Sequence, residues 1–432
     1  MIILLTLSAG LPLIYMIYHA LYHRRNILFD HELIFTFGYM YYWILPFIVG
    51  EAFFDLDDSV IKMWYSYYQN VTDEQKILFF ITALILYLSF ILGSNIAITK
   101  HRTGSMLPNI HEEYDSVIPY YIMTLCIIPI FVYVFIQIRP YLFGGYLVDG
   151  FGRAEIRGQL ATLSMISFSV IYIYIYIYRN YDLKRSFIKN VMTRFSILYI
   201  LSSIFMLSTG GRLYFMTSVV SMITLYSIYL KKLTKKRAAY IISGCFLFAG
   251  AIGVWRLSAS DSELLTAIIS NVFAEPILTS ISLLTFISSN EIPILTDPSS
   301  SLSLVVNILP SFLFRDFRAD FTVDLSDIYY YDSPLGALNS YVSWTGYFGL
   351  LGSVSIMFLG GFIMSVLKNK NGTSYHIIYG MICGTIMFTL FRDPFDISLI
   401  KVMLQDSIMI PMGFIIFLNI YNICSKRRTK DV

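Results

Sequence analysis

Arginines at the ends of apolar segments are the residues of this chain best suited to chemistry. Arg212 follows a Ser-Thr-Gly-Gly run, while Arg256 and Arg392 each close an apolar segment. Gly210 and Gly211 allow a tight turn that brings backbone N–H groups close to a ligand. Arg212 then opens a helix whose N-terminal dipole favours anions. These features predict a phosphate-binding site, and the alternative is a helix hairpin whose arginine reaches lipid headgroups.

Two pairs of arginines lie in polar loops. Arg153 and Arg157 are four residues apart, so both fall on one face of a short helix. Arg315 and Arg318 are three apart and share a face in the same way, with Asp and Tyr residues after them that suit hydroxyl-rich ligands. Guanidinium groups stay charged and bind phosphate oxygens in bidentate fashion. The alternative is a solvated loop whose charges neutralise one another.

Arg392 ends an apolar segment in the sequence Arg-Asp-Pro. In one interpretation its guanidinium binds an anionic lipid headgroup at the membrane edge. In the other it pairs with Asp393 or Asp396, which lie beside it in the chain. The residues alone leave both interpretations open.

Glu275 is the carboxylate best placed to act as a general base. It lies next to Pro276 in an otherwise apolar segment, where partial burial suits a carboxylate to accept a proton. Asp261 and Glu263 are alternatives for the same role. The structural alternative for Glu275 is a helix-end acid that faces water.

The composition indicates a membrane protein. Of the 432 residues, 56% are hydrophobic and 14% are charged, whereas soluble domains carry about 25% charged residues. The net charge of +3 argues against nucleic acid as a partner. The four cysteines lie in apolar runs without CxxC spacing, so we interpret them as core residues and not as metal ligands.

Apolar runs of about 17 or more residues predict eleven membrane-spanning helices in an all-α protein. The runs fall at 2–18, 33–50, 77–98, 117–138, 159–178, 191–208, 212–230, 238–256, 341–367, 376–392 and 402–423. Most Lys and Arg residues lie in loops on one side, which is therefore cytoplasmic, with the N-terminus outside and the C-terminus inside. The segment 264–288 is not counted, because Glu275-Pro276 predicts a break into two short interfacial helices or a re-entrant pair.

The predicted organisation has three parts. Residues 1–256 hold the first eight helices, 257–340 form one long extracytoplasmic loop with short interfacial helices, and 341–432 hold the last three helices and a basic tail. All six histidines fall on the cytoplasmic side or at its edge. Chemistry on the outer face must therefore use carboxylates, arginines, tyrosines or the leaving group of the substrate.

Four features together resemble a known family. They are the Ser-Thr-Gly-Gly-Arg segment at 208–212, the single long outer loop, the P-x-G…Y…W-x-G-x-x-G pattern at 334–349, and the Arg-Asp-Pro segment before the last span. In this combination the chain resembles the O-antigen polymerase (Wzy) family of oligosaccharide repeat-unit polymerases.

The resemblance implies an inverting glycosyltransferase of the GT-C type that uses neither metal nor cofactor. Such an enzyme moves a growing glycan from one undecaprenyl-pyrophosphate carrier onto the sugar end of a second lipid-linked repeat. It implies a multi-pass protein of the bacterial inner membrane, in contact with membrane lipid and with a Wzz-type chain-length regulator as a possible partner. The product is a surface polysaccharide, either O-antigen or capsule.

The expected site follows from the residues and the resemblance together. Glu275 and Arg212 are the expected catalytic residues. The residues expected to bind pyrophosphate or glycan are Arg153, Arg157, Gly210, Gly211, Arg256, Arg315, Arg318 and Arg392.

Three other functions are alternatives to polymerisation. An O-antigen ligase depends on a histidine in its large outer loop, which this chain lacks. A lipid-linked oligosaccharide flippase or another transporter would show mid-span charges and internal repeats, and neither is visible in the sequence. A structural membrane partner stays open.

Overall fold

The computed structural model of the chain describes nine continuous stretches. These are 2–22, 29–52, 59–98, 118–138, 264–307, 323–334, 338–370, 373–392 and 410–428, with scattered single residues or short runs at 200–244, 317 and 403–409. All regular secondary structure among these residues is helical. By packing, the chain divides into two units, of which the first holds Met1–Thr103, Asp261–Asn369 and Thr385–Leu404, and the second Gly104–Ser260, Lys370–Gly384 and Gln405–Val432.

The helices follow one another along the described stretches. They are α1 (Ile2–Tyr22), α2 (His31–Tyr39), a π-helix (Met40–Ile44), α3 (Leu45–Ala52), α4 (Ser59–Gln69), α5 (Asp73–Ile98), α6 (Ile118–Ile138), α7 (Leu264–Ser289), α8 (Pro298–Asn307), α9 (Leu325–Ile328), α10 (Ser340–Asn369), α11 (Thr373–Arg392) and α12 (Ile410–Arg428). The segment from α2 through the π-helix to α3 is continuous. Asp30 caps its start by accepting a hydrogen bond from the N–H of Leu33.

The core of the first unit forms where α5 and α10 cross. A Cβ atom at Gly93 would lie 2.0 Å from the carbonyl oxygen of Phe358, and one at Gly361 would lie 2.1 Å from that of Phe90. Only glycine therefore allows the two backbones to approach this closely, as is typical of helices packed in a membrane. The ring of Phe90 stacks on Phe35 of α2 at 3.7 Å between centroids, which joins α2 to the crossing.

Helix α10 is interrupted at Gly349. This residue has φ of +66° and ψ of 178°, a conformation that is essentially restricted to glycine. The freed N–H groups of Leu350 and Leu351 donate to the carbonyls of Pro293 and Ile294 at 2.9 and 3.2 Å. The span predicted at 341–367 is therefore two helical pieces, with the outer loop bonded to the break.

Helix α7 runs without interruption from Leu264 to Ser289, with Pro276 inside it. The predicted break at Glu275-Pro276 is therefore wrong. Proline removes one backbone donor and costs about 3 kcal/mol in a helix interior, but packing compensates here, because Ile277 and Ile281 are buried. The hydroxyl of Thr279 also bonds to the carbonyls of Glu275 and Pro276 at 3.0 and 2.9 Å. The short helices of the long loop are α8 and α9, which follow α7.

Five helices among the described residues are long and apolar enough to cross a membrane. They are His31–Ala52, Asp73–Ala97, Ile118–Ile136, Ser340–Asn369 and Ser407–Cys424, each in the place of a predicted span. The predicted spans at 159–178, 191–208, 212–230 and 238–256 lie outside the described residues, apart from isolated positions. The helical membrane fold is thus confirmed, while the total of eleven spans, the orientation and the GT-C type stay predictions.

The second unit contains α6, α12 and the first part of α11. A Cβ atom at Gly384 of α11 would lie 2.2 Å from the carbonyl oxygen of Thr217 and 2.1 Å from Ser221 Oγ. A Cβ atom at Gly380 would lie 2.4 Å from Leu225 Cγ. Glycines on α11 therefore let it pack tightly on the helical residues at 217 and 219–225.

Candidate functional site

Glu275 of α7 and Arg392 of α11 form an ion pair, called here the outer pair. The guanidinium Nε of Arg392 lies 2.9 Å from Oε1 of Glu275, and the two side chains are 30% and 33% exposed. Both residues belong to the first unit. The carboxylate can accept a proton, and the guanidinium can bind an anion. Because the two groups touch and are both partly exposed, they can do so at one place.

Helix α7, which carries Glu275, is fixed by hydrogen bonds to its serines. Trp64 of α4 donates its indole N–H to Ser280 Oγ at 2.7 Å. The backbone N–H of Asn339 donates to Ser282 Oγ at 2.8 Å. Both serines are buried, so α7 is held in place while the side chain of Glu275 remains partly exposed.

Arg392 extends from a firmly packed helix end. The preceding residue, Phe391, is buried, and its ring lies 5.3 Å from that of Trp43. The indole N–H of Trp344 points to the carbonyl oxygen of Leu390 at 3.4 Å, a long hydrogen bond. The last turn of α11 is therefore anchored to two other helices. This fixes the backbone position from which the side chain of Arg392 extends.

Tyrosines and acids lie together where α4 contacts the segment after α7. Tyr67 of α4 donates to Asp332 Oδ2 at 2.5 Å, and this hydrogen bond, with a smaller effect of burial, raises the pKa of Tyr67. Tyr68 donates to Glu51, and burial followed by this carboxylate raises the pKa of Tyr68. The ammonium of Lys76 lies 3.6 Å from the centre of the Tyr68 ring. Tyr68 and Lys76 are buried, so only the other members of this group are open enough to meet a glycan hydroxyl.

Most residues of the predicted site lie outside the described part of the chain. The structure describes Glu275 and Arg392 and brings them together. The Asp393 and Asp396 alternatives for Arg392 are not among the described residues. The others that fall outside are Arg153, Arg157, Gly210, Gly211, Arg212, Arg256, Arg315 and Arg318. Their convergence on the outer pair stays a prediction.

A second group of charged residues lies buried at the predicted cytoplasmic end of the same unit. Lys368 Nζ donates to Asp30 Oδ2 at 2.8 Å, and His19 Nε2 lies 2.9 Å from the same oxygen. Glu32 accepts a hydrogen bond from the hydroxyl of Tyr15, and its Oε2 lies 3.9 Å from His19 Nε2. We call His19, Asp30, Glu32 and Lys368 the inner network. All four residues are buried.

The carboxylate of Asp30 is paired with positive groups of the inner network itself. Burial alone would raise the pKa of Asp30, but Lys368 and His19 outweigh it and hold that pKa well below its usual range. Ligand atoms of His19, Asp30 and Glu32 lie within 4.8 Å of one another, as in a metal site. However, the ammonium of Lys368 already supplies positive charge against Asp30 at 2.8 Å, so we interpret the group as an ion-pair network.

In the predicted topology these four residues lie on the cytoplasmic side, but the sequence does not connect them. The available signal was the run Asp30-His31-Glu32 at the very start of an apolar span, because ionisable residues there are costly unless they have partners. Nothing in the sequence indicates that Lys368, 338 positions further on, returns to Asp30.

The described helices and the two charged groups at their ends define the class of protein. It is an integral membrane protein with several spans, which holds a partly exposed acid–arginine pair at one end of a unit and a buried ion-pair network at the other.

Comparison with known families then identifies the family. A family model described as O-antigen polysaccharide polymerase Wzy matches residues 2–290, about two thirds of the chain. The chain belongs to this family, and the resemblance seen in the sequence is confirmed. Membership supports a general role in polymerising O-antigen repeat units from lipid-linked oligosaccharides in a membrane. No curated protein and no solved structure gives a significant match.

Proposed function

We propose that this chain polymerises undecaprenyl-pyrophosphate-linked repeat units into surface polysaccharide on the outer face of the bacterial inner membrane. The transfer is inverting and of the GT-C type. The observation that carries the proposal is the outer pair, in which Glu275 and Arg392 lie 2.9 Å apart with about a third of each side chain exposed. Family membership supplies the reaction class, and the outer pair supplies the two chemical groups that this transfer needs.

The contacts of the first unit agree with the predicted division of its loops into two sides. Trp64 and Gln75 belong to the outer loop predicted at 51–76, and they bond to Ser280 and Ser288 of α7 at 2.7 and 3.3 Å. The inner network joins residues that were all assigned to the cytoplasmic side. Segments predicted to share one side of the membrane thus contact each other, as the proposed division of the chain into two sides requires.

The proposed reaction needs one base and one anion-binding group. The acceptor hydroxyl of one lipid-linked repeat attacks the anomeric carbon of the glycan on a second carrier. A new glycosidic C–O bond forms, and the C–O bond to the diphosphate breaks with its electron pair, releasing undecaprenyl pyrophosphate. The carboxylate of Glu275 takes the hydroxyl proton. The guanidinium of Arg392 leaves Glu275 for the phosphate oxygens and stabilises their growing charge.

Other arginines share the diphosphate in this proposal. Arg212 has the largest part because the glycines before it add backbone donors. Alanine at Arg212 is expected to abolish polymer without changing protein level. The remaining arginines proposed to hold or direct the diphosphate or glycan are Arg153, Arg157, Arg256, Arg315 and Arg318.

The proposal is tested in cells that lack the gene. Loss of a polymerase leaves lipid carriers that each bear a single repeat on the outer face. Arg392→Lys keeps the charge but loses the planar fork that matches phosphate, so we expect at least a tenfold shortfall in polymer at normal protein level. Repeats trapped on the cytoplasmic face would instead identify a flippase and overturn the proposal.

A further inference from the structure

Two buried polar groups without a partner among the described residues lie at the start of α10, one on the residue before the helix and one on its first residue. Asn339 is 0% exposed and Ser340 is 1% exposed. Within the described part of the chain, neither Asn339 Nδ2 nor Ser340 Oγ has a hydrogen-bond partner. Buried polar groups are bonded in the large majority of cases, and an unbonded one costs about 1–3 kcal/mol. Two on consecutive residues indicate that an acceptor binds there.

The amide of Asn339 is directed at the helix N-terminus. Its Oδ1 accepts a hydrogen bond from the backbone N–H of Tyr341 at 3.0 Å, so Asn339 caps α10. Nδ2 is bonded to the same carbon as Oδ1 and therefore lies at the same helix end. The backbone N–H of Asn339 donates to Ser282 of α7 at 2.8 Å, which fixes the position of the cap.

A third donor without a partner lies nearby, on Trp43. The indole Nε1 of Trp43 is buried and has no hydrogen-bond partner among the described residues. Its ring lies 5.6 Å from Tyr341, in the first turn of α10, and 5.3 Å from Phe391, the residue before Arg392. Trp43 therefore connects the start of α10 to the helix end that carries the outer pair.

The chemistry of these groups specifies the ligand. An amide NH2 and an indole N–H can only donate, and a serine hydroxyl can also donate. The N-terminus of a helix adds partial positive charge. Donors around such an end favour an anionic oxygen over a cation or a neutral sugar. Phosphate provides such oxygens, and it is the charged group that the proposed reaction brings next to Arg392.

We propose that Asn339, Ser340 and Trp43, together with the first turn of α10, form a second phosphate subsite beside Arg392. The ligand is a diphosphate oxygen of the polyisoprenyl carrier. This inference rests on the proposed function and adds to it, since Arg392 binds one part of the diphosphate and the start of α10 binds another. Arg392 and the start of α10 both lie in the first unit. Ser282 of α7 and Trp43 of the π-helix link the two.

An exchange of one atom tests the subsite. Asn339→Asp keeps Oδ1 as the helix cap but replaces the donating amide with an oxygen that repels phosphate. If Asn339 only caps the helix, the aspartate variant binds the diphosphate as well as the wild type does, because acids are good caps. The subsite instead predicts at least tenfold weaker binding by the folded protein, whether or not the buried carboxylate lowers the melting temperature.

The assay measures binding of undecaprenyl pyrophosphate to the purified full-length protein in nanodiscs. Trp43→Phe keeps an aromatic ring but removes the N–H, so it also lowers affinity, by about threefold to tenfold. The matched control is Asp324→Asn, an exchange in the opposite direction at the cap of α9, where Asp324 accepts from the N–H of Ser326 at 3.0 Å. This control leaves binding unchanged.

Two further ligands test whether the bound phosphate belongs to the carrier lipid or to another source. Inorganic pyrophosphate and phosphatidylglycerol should each bind at least tenfold more weakly than the polyisoprenyl diphosphate. Equal affinity for either one overturns the assignment to the carrier lipid. Equal binding of the carrier by Asn339→Asp and wild type overturns the subsite. Neither result affects the proposed polymerase, because polymer formed by wild-type cells is measured separately.

Discussion

The two charged groups of the first unit differ in how much water they meet. Asp30 and Lys368 of the inner network are 0% and 7% exposed, and the network supplies opposite charges from its own members. The side chains of the outer pair are about a third exposed. Both groups contain an acid and a base about 3 Å apart, yet only the outer pair leaves room for a ligand.

The difference in exposure decides what each pair can do. A buried charge that loses its partner is left uncompensated at high cost, so the inner network must remain intact. An exposed ion pair contributes about 0–1 kcal/mol, because water replaces either partner. Arg392 can therefore exchange Glu275 for a phosphate at little cost. The inner network therefore supports the structure, while the proposed chemistry belongs to the outer pair.

The largest expected effect is on the inner network. Lys368→Met leaves the buried carboxylate of Asp30 without its main positive partner, so the free energy of unfolding should fall by about 3–5 kcal/mol. The measurement is denaturant unfolding in mixed micelles. Lys370→Met is the control, because Lys370 is exposed and lies 5.0 Å from the ring of Tyr375, and its loss should cost under about 1 kcal/mol.

The double variant Asp30→Asn with Lys368→Met sharpens this prediction. It removes both charges of the pair, so it should be more stable than Lys368→Met alone. If Lys368→Met and Lys370→Met are equally stable, the inner network does not hold the unit together, and the contrast between the two ends is lost.

An intermediate effect is expected at the break in α10. Gly349→Ala places a side chain at φ of +66° with its Cβ 2.7 Å from the carbonyl oxygen of Ile294. The free energy of unfolding should therefore fall by about 1–3 kcal/mol. Gly360→Ala is the matched control in the same helix. Its Cβ would meet Phe90 only at 3.8 Å, and alanine there should stabilise by about 0.5–1 kcal/mol. Equal stability of the two variants would contradict the break.

The smallest effect is expected on the outer surface. Tyr67→Phe removes the hydrogen bond to Asp332 but leaves the ring, and in a partly exposed position this should cost about 0.5–1 kcal/mol. The thermal melting midpoint would record the change. A loss as large as that of Lys368→Met would show that the outer end is as rigidly built as the inner one.

The sequence predicted the helices well, because long apolar runs must be helical to cross a bilayer. It failed at Pro276, where local helix propensity indicated a break but buried neighbours keep α7 continuous. It also could not show the break at Gly349, since this break depends on carbonyls supplied by Pro293 and Ile294.

The sequence allowed the residues of the candidate site to be chosen by type. It did not show which of them contact each other. Glu275 and Arg392 were both selected from the sequence, for proton transfer and for anion binding. Their contact is a tertiary property, because the helices that carry them are far apart in the chain, and the acids considered for Arg392 were its sequence neighbours. The same limit explains why the link from Lys368 to Asp30 was missed.

The most direct test of the account is polymerisation by the purified protein in proteoliposomes supplied with the lipid-linked repeat, with chain length read on a gel. Glu275→Gln should lower the rate by about 10²–10⁴-fold and leave the melting temperature unchanged. The control is Glu291→Gln, at an exposed acid just after α7, which should behave as wild type. A Glu275→Gln protein that extends chains at the wild-type rate would contradict the account.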